Sequence, residues 1–169
     1  MGTTARLPRL LAWPLGLVPG VVHSAALAVA VNRALAPALA RGEFAFLEGR
    51  TVALRIRDAA VTYRLRLEGG RFVAAARPAA PDVTISGDLH DFLLLATRRE
   101  DHDSLFFQRR LRMEGDTALG LELKNLLDSM ESVLPALPRP LEAALQRAVD
   151  VYERLFAGGG AVALDDGRR

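Results

Sequence analysis

The residues able to do chemistry are few and scattered. Three histidines occur, His23, His90 and His102. His102 stands between Asp101 and Asp103, as in a loop metal site, but no second histidine lies at the i+4 spacing that puts two imidazoles on one helix face. His23 falls in an apolar helical stretch and His90 in the first turn of a helix beside Asp91, so both read as structural. Glu114 and Asp116 flank Gly115. Two carboxylates so placed could share acid–base work. The plainer reading makes Asp116 a helix cap and Glu114 the partner of an arginine. Cysteine is absent, which excludes disulfides, thiolate nucleophiles and cysteine metal sites. Ser24, Ser86, Ser104, Ser129 and Ser132 lack the glycine-flanked turn of a nucleophilic serine. Gly69-Gly70 lacks the Lys-Ser/Thr that follows a phosphate-binding loop. The inventory predicts no enzyme, no cofactor and no metal.

A net charge of +2 is too small to argue for nucleic acid. The 169 residues suit one domain, and half of them are hydrophobic while only 6% are aromatic, so aliphatic side chains must fill the core. Lys124 is the sole lysine, which reads as compositional bias rather than anion recognition.

The elements follow from periodicity. Arg6 and Arg9 precede an apolar run from Leu10 to Val22 that Pro14, Gly16, Pro19 and Gly20 interrupt. The interruptions argue against a membrane-spanning helix of about 20 residues and against a secretory leader. Docked helices, or a membrane-surface anchor involving Trp13, fit better. A helix is expected from Val21 to Ala40, burying Val22, Ala25, Ala26, Val29, Leu35 and Leu39. Val52, Leu54 and Ile56 alternate with polar or small residues, as do Val61, Tyr63, Leu65 and Leu67. That period of two demands strands with one buried face. Gly69-Gly70 makes a hairpin turn into a strand over Phe72 to Ala76, and Val83 to Ser86 forms another. A helix capped by Asp88 and Asp91 should bury Leu89, Phe92, Leu93 and Ala96. A charged loop is expected over 98–103, a strand around Leu111 and Met113, then a helix from Asp116 with Leu119, Leu123, Leu126, Leu127 and Met130 on one face. Prolines 135, 138 and 140 lead into a last helix burying Leu145, Ala148, Tyr152 and Leu155.

The order predicts an α+β fold, an antiparallel sheet with helices on one face. The divisions are an apolar helical segment (1–41), the sheet domain (42–132), an amphipathic helix (133–157) and a disordered tail (158–169). The second sheet face would carry Arg55, Arg57, Arg64, Arg66, Arg110 and Arg112. It is either a solvated face with acidic neighbours or a surface that meets anionic headgroups or an acidic partner.

Periodicity alone does not separate a filled core from a cavity. The run Leu105-Phe106-Phe107-Gln108-Arg109-Arg110-Leu111-Arg112-Met113-Glu114-Gly115-Asp116-Thr117, with Leu119-Gly120-Leu121 and Lys124-Asn125-Leu126 after it, closely resembles the UbiT family. These are accessory factors of oxygen-independent ubiquinone biosynthesis that carry a sterol carrier protein type-two domain. Glu43-Phe44-Ala45-Phe46-Leu47-Glu48-Gly49-Arg50 is similar to the same family, and the resemblance spans roughly Glu43 to Met130. It implies a five-stranded, mostly antiparallel sheet with helices over one face enclosing an apolar tunnel, and no catalytic residues. The expected tunnel lining is Leu54, Ile56, Val61, Tyr63, Leu65, Val83, Ile85, Phe92, Leu93, Phe107, Leu111, Met113, Leu119, Leu123, Leu126, Leu127 and Met130. The resemblance further implies an isoprenoid quinone precursor or phospholipid as ligand and UbiU and UbiV as partners. A long tail would outrun the tunnel, so it should fold, protrude or be shared in a homodimer, and the expected place is cytoplasmic, peripheral to the inner membrane through the apolar N-terminus. A non-catalytic interaction domain or a general lipid carrier is the alternative.

Overall fold

The alternating segments fold as strands. The computed structural model describes residues 20–75, 80–131 and 139–156. The sheet consists of β1 (Thr51–Ile56), β2 (Val61–Glu68), β3 (Arg71–Ala74), β4 (Val83–Gly87) and β5 (Arg112–Gly115), in the order β3-β2-β1-β4-β5. Among the described strands only the β1–β4 pair is parallel, so the sheet is mixed and mostly antiparallel. Gly69 and Gly70 both take positive φ, 57° and 72°, and turn β2 directly into β3.

The helices are α1 (Gly20–Ala34), α2 (Ala36–Ala40), α3 (Leu89–Ala96), α4 (His102–Phe107), α5 (Thr117–Glu131) and α6 (Arg139–Phe156). One continuous first helix was expected. It breaks instead at Leu35, because Pro37 suits the first turn of a new helix and not the interior of an old one.

The buried face of α1 also differs from the expected stripe. Val22 and Val29 are 55% and 69% exposed, and Ala25 and Ala26 also face outward, whereas Ser24 and Ala28 are buried. Polar groups turn inward because the sheet edge needs them. The Asn32 side chain donates to the Phe72 carbonyl (2.7 Å) and accepts the Phe72 N–H (2.8 Å). Ser24 Oγ accepts the Arg64 N–H at 3.0 Å. β3 is an edge strand, and Asn32 satisfies backbone groups there that would otherwise invite another chain.

Three further expectations change. Residues 102–107 form α4 rather than the end of a loop; Asp101 caps it, accepting the Ser104 N–H at 2.7 Å. In α3 the buried residues are Asp91 and Leu94, while Leu89, Phe92 and Leu93 are half-buried and Ala96 is exposed. In α6 Val149 and Tyr152 are buried, whereas Ala148 is exposed and Leu155 is 64% exposed. α6 docks through polar contacts with α3 and its flanks: Tyr152 donates to Asp58 (3.1 Å), and Arg99 pairs with Asp150 (2.5 Å). The disordered tail and Trp13 anchor that were expected lie outside the described residues.

The second sheet face carries Arg55, Arg64, Arg66 and Arg112, but Arg57 and Arg110 leave it. Arg57 pairs with Asp88 (3.0 Å) and Arg110 with Asp91 (2.6 Å) and Glu100 (2.6 Å). Both guanidiniums are drawn toward carboxylates around the first turn of α3, where charge pairing outweighs solvation on an open face.

Asp82 ties the sheet together ahead of β4. Its carboxylate accepts the Thr51 N–H (2.7 Å) and pairs with Arg50 (2.9 Å), while its carbonyl accepts the Asp116 N–H (2.8 Å). The Thr51 N–H, with Arg50 beside it, holds the Asp82 carboxyl below the ordinary carboxylate range. A lowered folded-state pKa stabilises above the unfolded value, about 3.9, and that contribution disappears as pH falls through the folded value. Wild-type protein should therefore lose urea resistance between about pH 5 and pH 3. Asp82→Asn should start weaker and lose less over the same interval. Equal losses in both proteins would remove Asp82 from the acid response.

Candidate functional site

The cross-strand register lays the helix-covered face out in rows. One row runs Leu65–Val52–Val83 and a second Val61–Ile56–Gly87. Both are buried throughout. Between them lies Tyr63–Leu54–Ile85–Met113, which crosses four strands from β2 to β5. At about 4.8 Å per strand this middle row is about 14 Å long.

The middle row is less well covered than its neighbours. Leu54 lies on the central strand, flanked by β2 and β4, and faces the helices, yet it is only half-buried. Tyr63 and Met113 are half-buried too; Ile85 alone is buried, at 8% exposure. Phe92 of α3, itself half-buried, packs against the clusters that hold Leu54 and Tyr63. A central strand between two packed rows should be dry, so the helices cover this apolar line incompletely. Partial burial pushes the Tyr63 phenol above its ordinary value, and His23 of α1 sits 6.3 Å from its ring.

The row ends beside a groove at the β5 edge. Met113 ends the row and lines a hollow of about 360 Å³ with Phe106, Gly115, Thr117, Gly120, Leu121 and Lys124. Phe106 also borders adjoining hollows of about 500 and 490 Å³. All three hollows lie open at the surface. Gly120 lets α5 approach β5, since a Cβ there would stand 3.0 Å from the Met113 sulfur.

The expected lining residues divide into groups. Leu54, Leu65, Val83, Ile85, Phe92, Met113, Leu119, Leu123 and Leu126 meet in one cluster. Ile56, Val61 and Tyr63 form a second, and Phe92 joins the two. Leu111 is buried near Gly87, where it would meet any added Cβ at 2.5 Å. Leu93 and Leu127 are half-buried and outside both clusters, Met130 lies at the end of α5, and Phe107 is 91% exposed. Phe106, Gly120, Leu121 and Lys124 were not anticipated. Phe106 precedes Phe107 on a helix not expected there, and Leu121 lies off the apolar stripe of α5.

The acidic and histidine residues have structural roles here. His102 is buried and its Nε2 contacts the Asp128 carboxylate, joining α4 to α5. Asp103, the third group within 4.8 Å, pairs with the Lys124 ammonium at 2.9 Å. Asp116 caps α5, accepting the Ala118 and Leu119 N–H groups at 2.9 and 3.1 Å. No described helix is long and apolar enough to cross a membrane.

A mixed five-stranded sheet with several helices over its apolar face defines the fold class. The model of the SCP-2 sterol transfer family matches residues 31–128, and the chain belongs to that family. Within it the chain groups with the UbiT proteins. It is 38% identical over 146 residues to the ubiquinone biosynthesis accessory factor UbiT of Escherichia coli strain K12, covering 86% of this chain and 82% of that one. The relative is an accessory factor, and the matched family is one of sterol transfer. Among solved structures, a UbiJ-SCP2 ubiquinone synthesis protein aligns at a TM-score of 0.48 with 17% identity, covering 63% of this chain and 94% of that one. Sterol carrier protein 2 from Yarrowia lipolytica aligns at 0.44 with 15% identity, covering 65% and 92%.

Proposed function

We propose that this chain is a lipid-binding accessory factor of ubiquinone biosynthesis, which takes the tail of an isoprenoid quinone precursor or a phospholipid into a slot above Leu54. The incomplete burial of Leu54 in the middle of the sheet carries this reading. The kinship to UbiT supports the pathway. UbiU and UbiV, expected from that kinship, are the partners to which cargo would be presented.

The physics favours such a device. Each methylene moved from water into an apolar site gains about 0.8 kcal/mol, so a long prenyl tail will not cross water unaided. A slot of about 14 Å is shorter than such a tail extended. The tail must fold, protrude at the β5 edge, or be shared with a second subunit.

Native mass spectrometry of the purified full chain tests the reading. Wild-type protein should carry copurified lipid and bind polyprenylated phenols. Leu54→Trp, which fills the slot at a half-open position, should stay folded by circular dichroism and lose most of that load. A lipid-free wild type that also fails to bind the phenols, or an unchanged load in Leu54→Trp, rejects it in favour of an interaction domain with a filled core.

A further inference from the structure

The β5 edge carries a second feature that the slot alone does not require. Phe107 is 91% exposed and Leu121 is 60% exposed, on α4 and α5, and they border adjoining hollows that share Phe106 and Lys124. Arg109 and Arg112 line the next hollow beside Phe106, both exposed and neither paired with an acid among the described residues. Large apolar side chains held in water at the rim of an apolar groove mark a surface that meets something apolar.

We infer that this edge is the membrane-docking surface of the protein, with Phe107 and Leu121 entering the acyl boundary of a bilayer and Arg109 and Arg112 lying against anionic headgroups. The inference rests on the lipid-carrier reading. Continuity with the slot selects a bilayer as the occupant: Met113 both ends the half-open row and lines the groove, so a tail leaving the slot emerges at Phe106. A mouth pressed into a bilayer never exposes that tail to water. Glu114 and Asp116 lie at the same edge, so apolar insertion carries most of the binding and the two arginines add a preference for anionic lipid.

The absence of cysteine allows clean single-site reporters. An environment-sensitive dye is placed at Leu121→Cys and, as control, at Val29→Cys. Val29 is 69% exposed on α1, which packs on β3 at the opposite sheet edge. With vesicles of phosphatidylcholine and phosphatidylglycerol, the dye at 121 should shift to the blue and the dye at 29 should not. The double variant Phe107→Ser/Leu121→Ser changes only exposed side chains and should partition at least about tenfold more weakly. Arg109→Gln/Arg112→Gln should lose only the preference for phosphatidylglycerol. A shift at 29 in place of 121, no vesicle binding, or a blue shift without vesicles at the mass of a dimer overturns the inference. Lipid that copurifies while docking fails removes this inference alone. Docking by a chain that carries no lipid and binds no polyprenylated phenol removes the carrier reading instead.

Discussion

Gly115→Ala should cost the protein several kcal/mol of stability, read as a large drop in the urea midpoint at unchanged slope. Two independent penalties act at this residue. Its φ is 121°, a region that side-chain-bearing residues enter at about 1–3 kcal/mol. A Cβ built on it would also stand 2.2 Å from the Asp82 carbonyl oxygen and 3.1 Å from the Val83 Cα. Both obstacles are backbone, so relief requires moving strands, an overpacking cost of roughly 1–3 kcal/mol more. The Asp82 carbonyl cannot withdraw without losing the Asp116 N–H it accepts at 2.8 Å. The total is a large share of the roughly 5–15 kcal/mol that holds a domain folded. Gly69→Ala separates the two penalties. Its φ is 57°, but nothing lies within 4 Å of the added Cβ, so its cost should stay near 1–2 kcal/mol. Equal midpoint shifts for the two variants would dismiss the clash. Gly115 is also where β5 passes into α5, so this contact sets how α5 lies over the middle row.

Much of this arrangement was legible from the residues. Strict alternation in 52–56 and 61–67, with a double glycine between strands, left little freedom in placing β1, β2 and β3 or their buried face. Asp88 and Asp116 announced the starts of α3 and α5. What misled was counting polarity as a sign of exposure. Ser24 and Asn32 break the apolar stripe of α1, yet they are its contacts with the sheet, because strand backbone groups 40 residues away needed partners. Asp91 looks like a surface acid until Arg110, 19 residues on, is brought against it. α4 was hidden by its charged start, although Asp101 three residues before Ser104 was a cap signal. The apolar rows were visible as a pattern, but no pattern could say that the middle one stays half-open. That depends on where α3 and α5 come to rest above it, and on Gly120, which lets α5 come close to Met113.

Asp91 provides the other large effect. Asp91→Ala should destabilise by about 3–5 kcal/mol, the usual consequence of breaking a buried ion pair from one side. The carboxylate is 1% exposed as a residue and fully engaged. Oδ1 accepts from Arg110 Nε (2.8 Å) and Nη2 (2.6 Å), while Oδ2 accepts the Asp88 N–H (3.2 Å) and faces Arg57 at 3.9 Å. Without it the Arg110 side chain, itself 19% exposed, keeps Glu100 as its acidic partner but loses the two-pronged contact. The Asp88 N–H loses its acceptor as well. Removing both charges should be far milder. Asp91→Leu/Arg110→Met should recover a good part of the loss, because two desolvation penalties vanish with the pair. A double-mutant cycle on urea midpoints therefore has a stated outcome: strong coupling, with the double variant more stable than Asp91→Ala. Additive losses would mean that the pair is not what holds Asp91. The effect should extend beyond stability, since the next residue on α3 is Phe92, which packs against the clusters that hold Leu54 and Tyr63. Asp91 and Arg57 fix the start of that helix against the end of β1, so α3 should loosen in Asp91→Ala. Lipid load should then fall more steeply with temperature than in the double variant, even where both proteins remain folded.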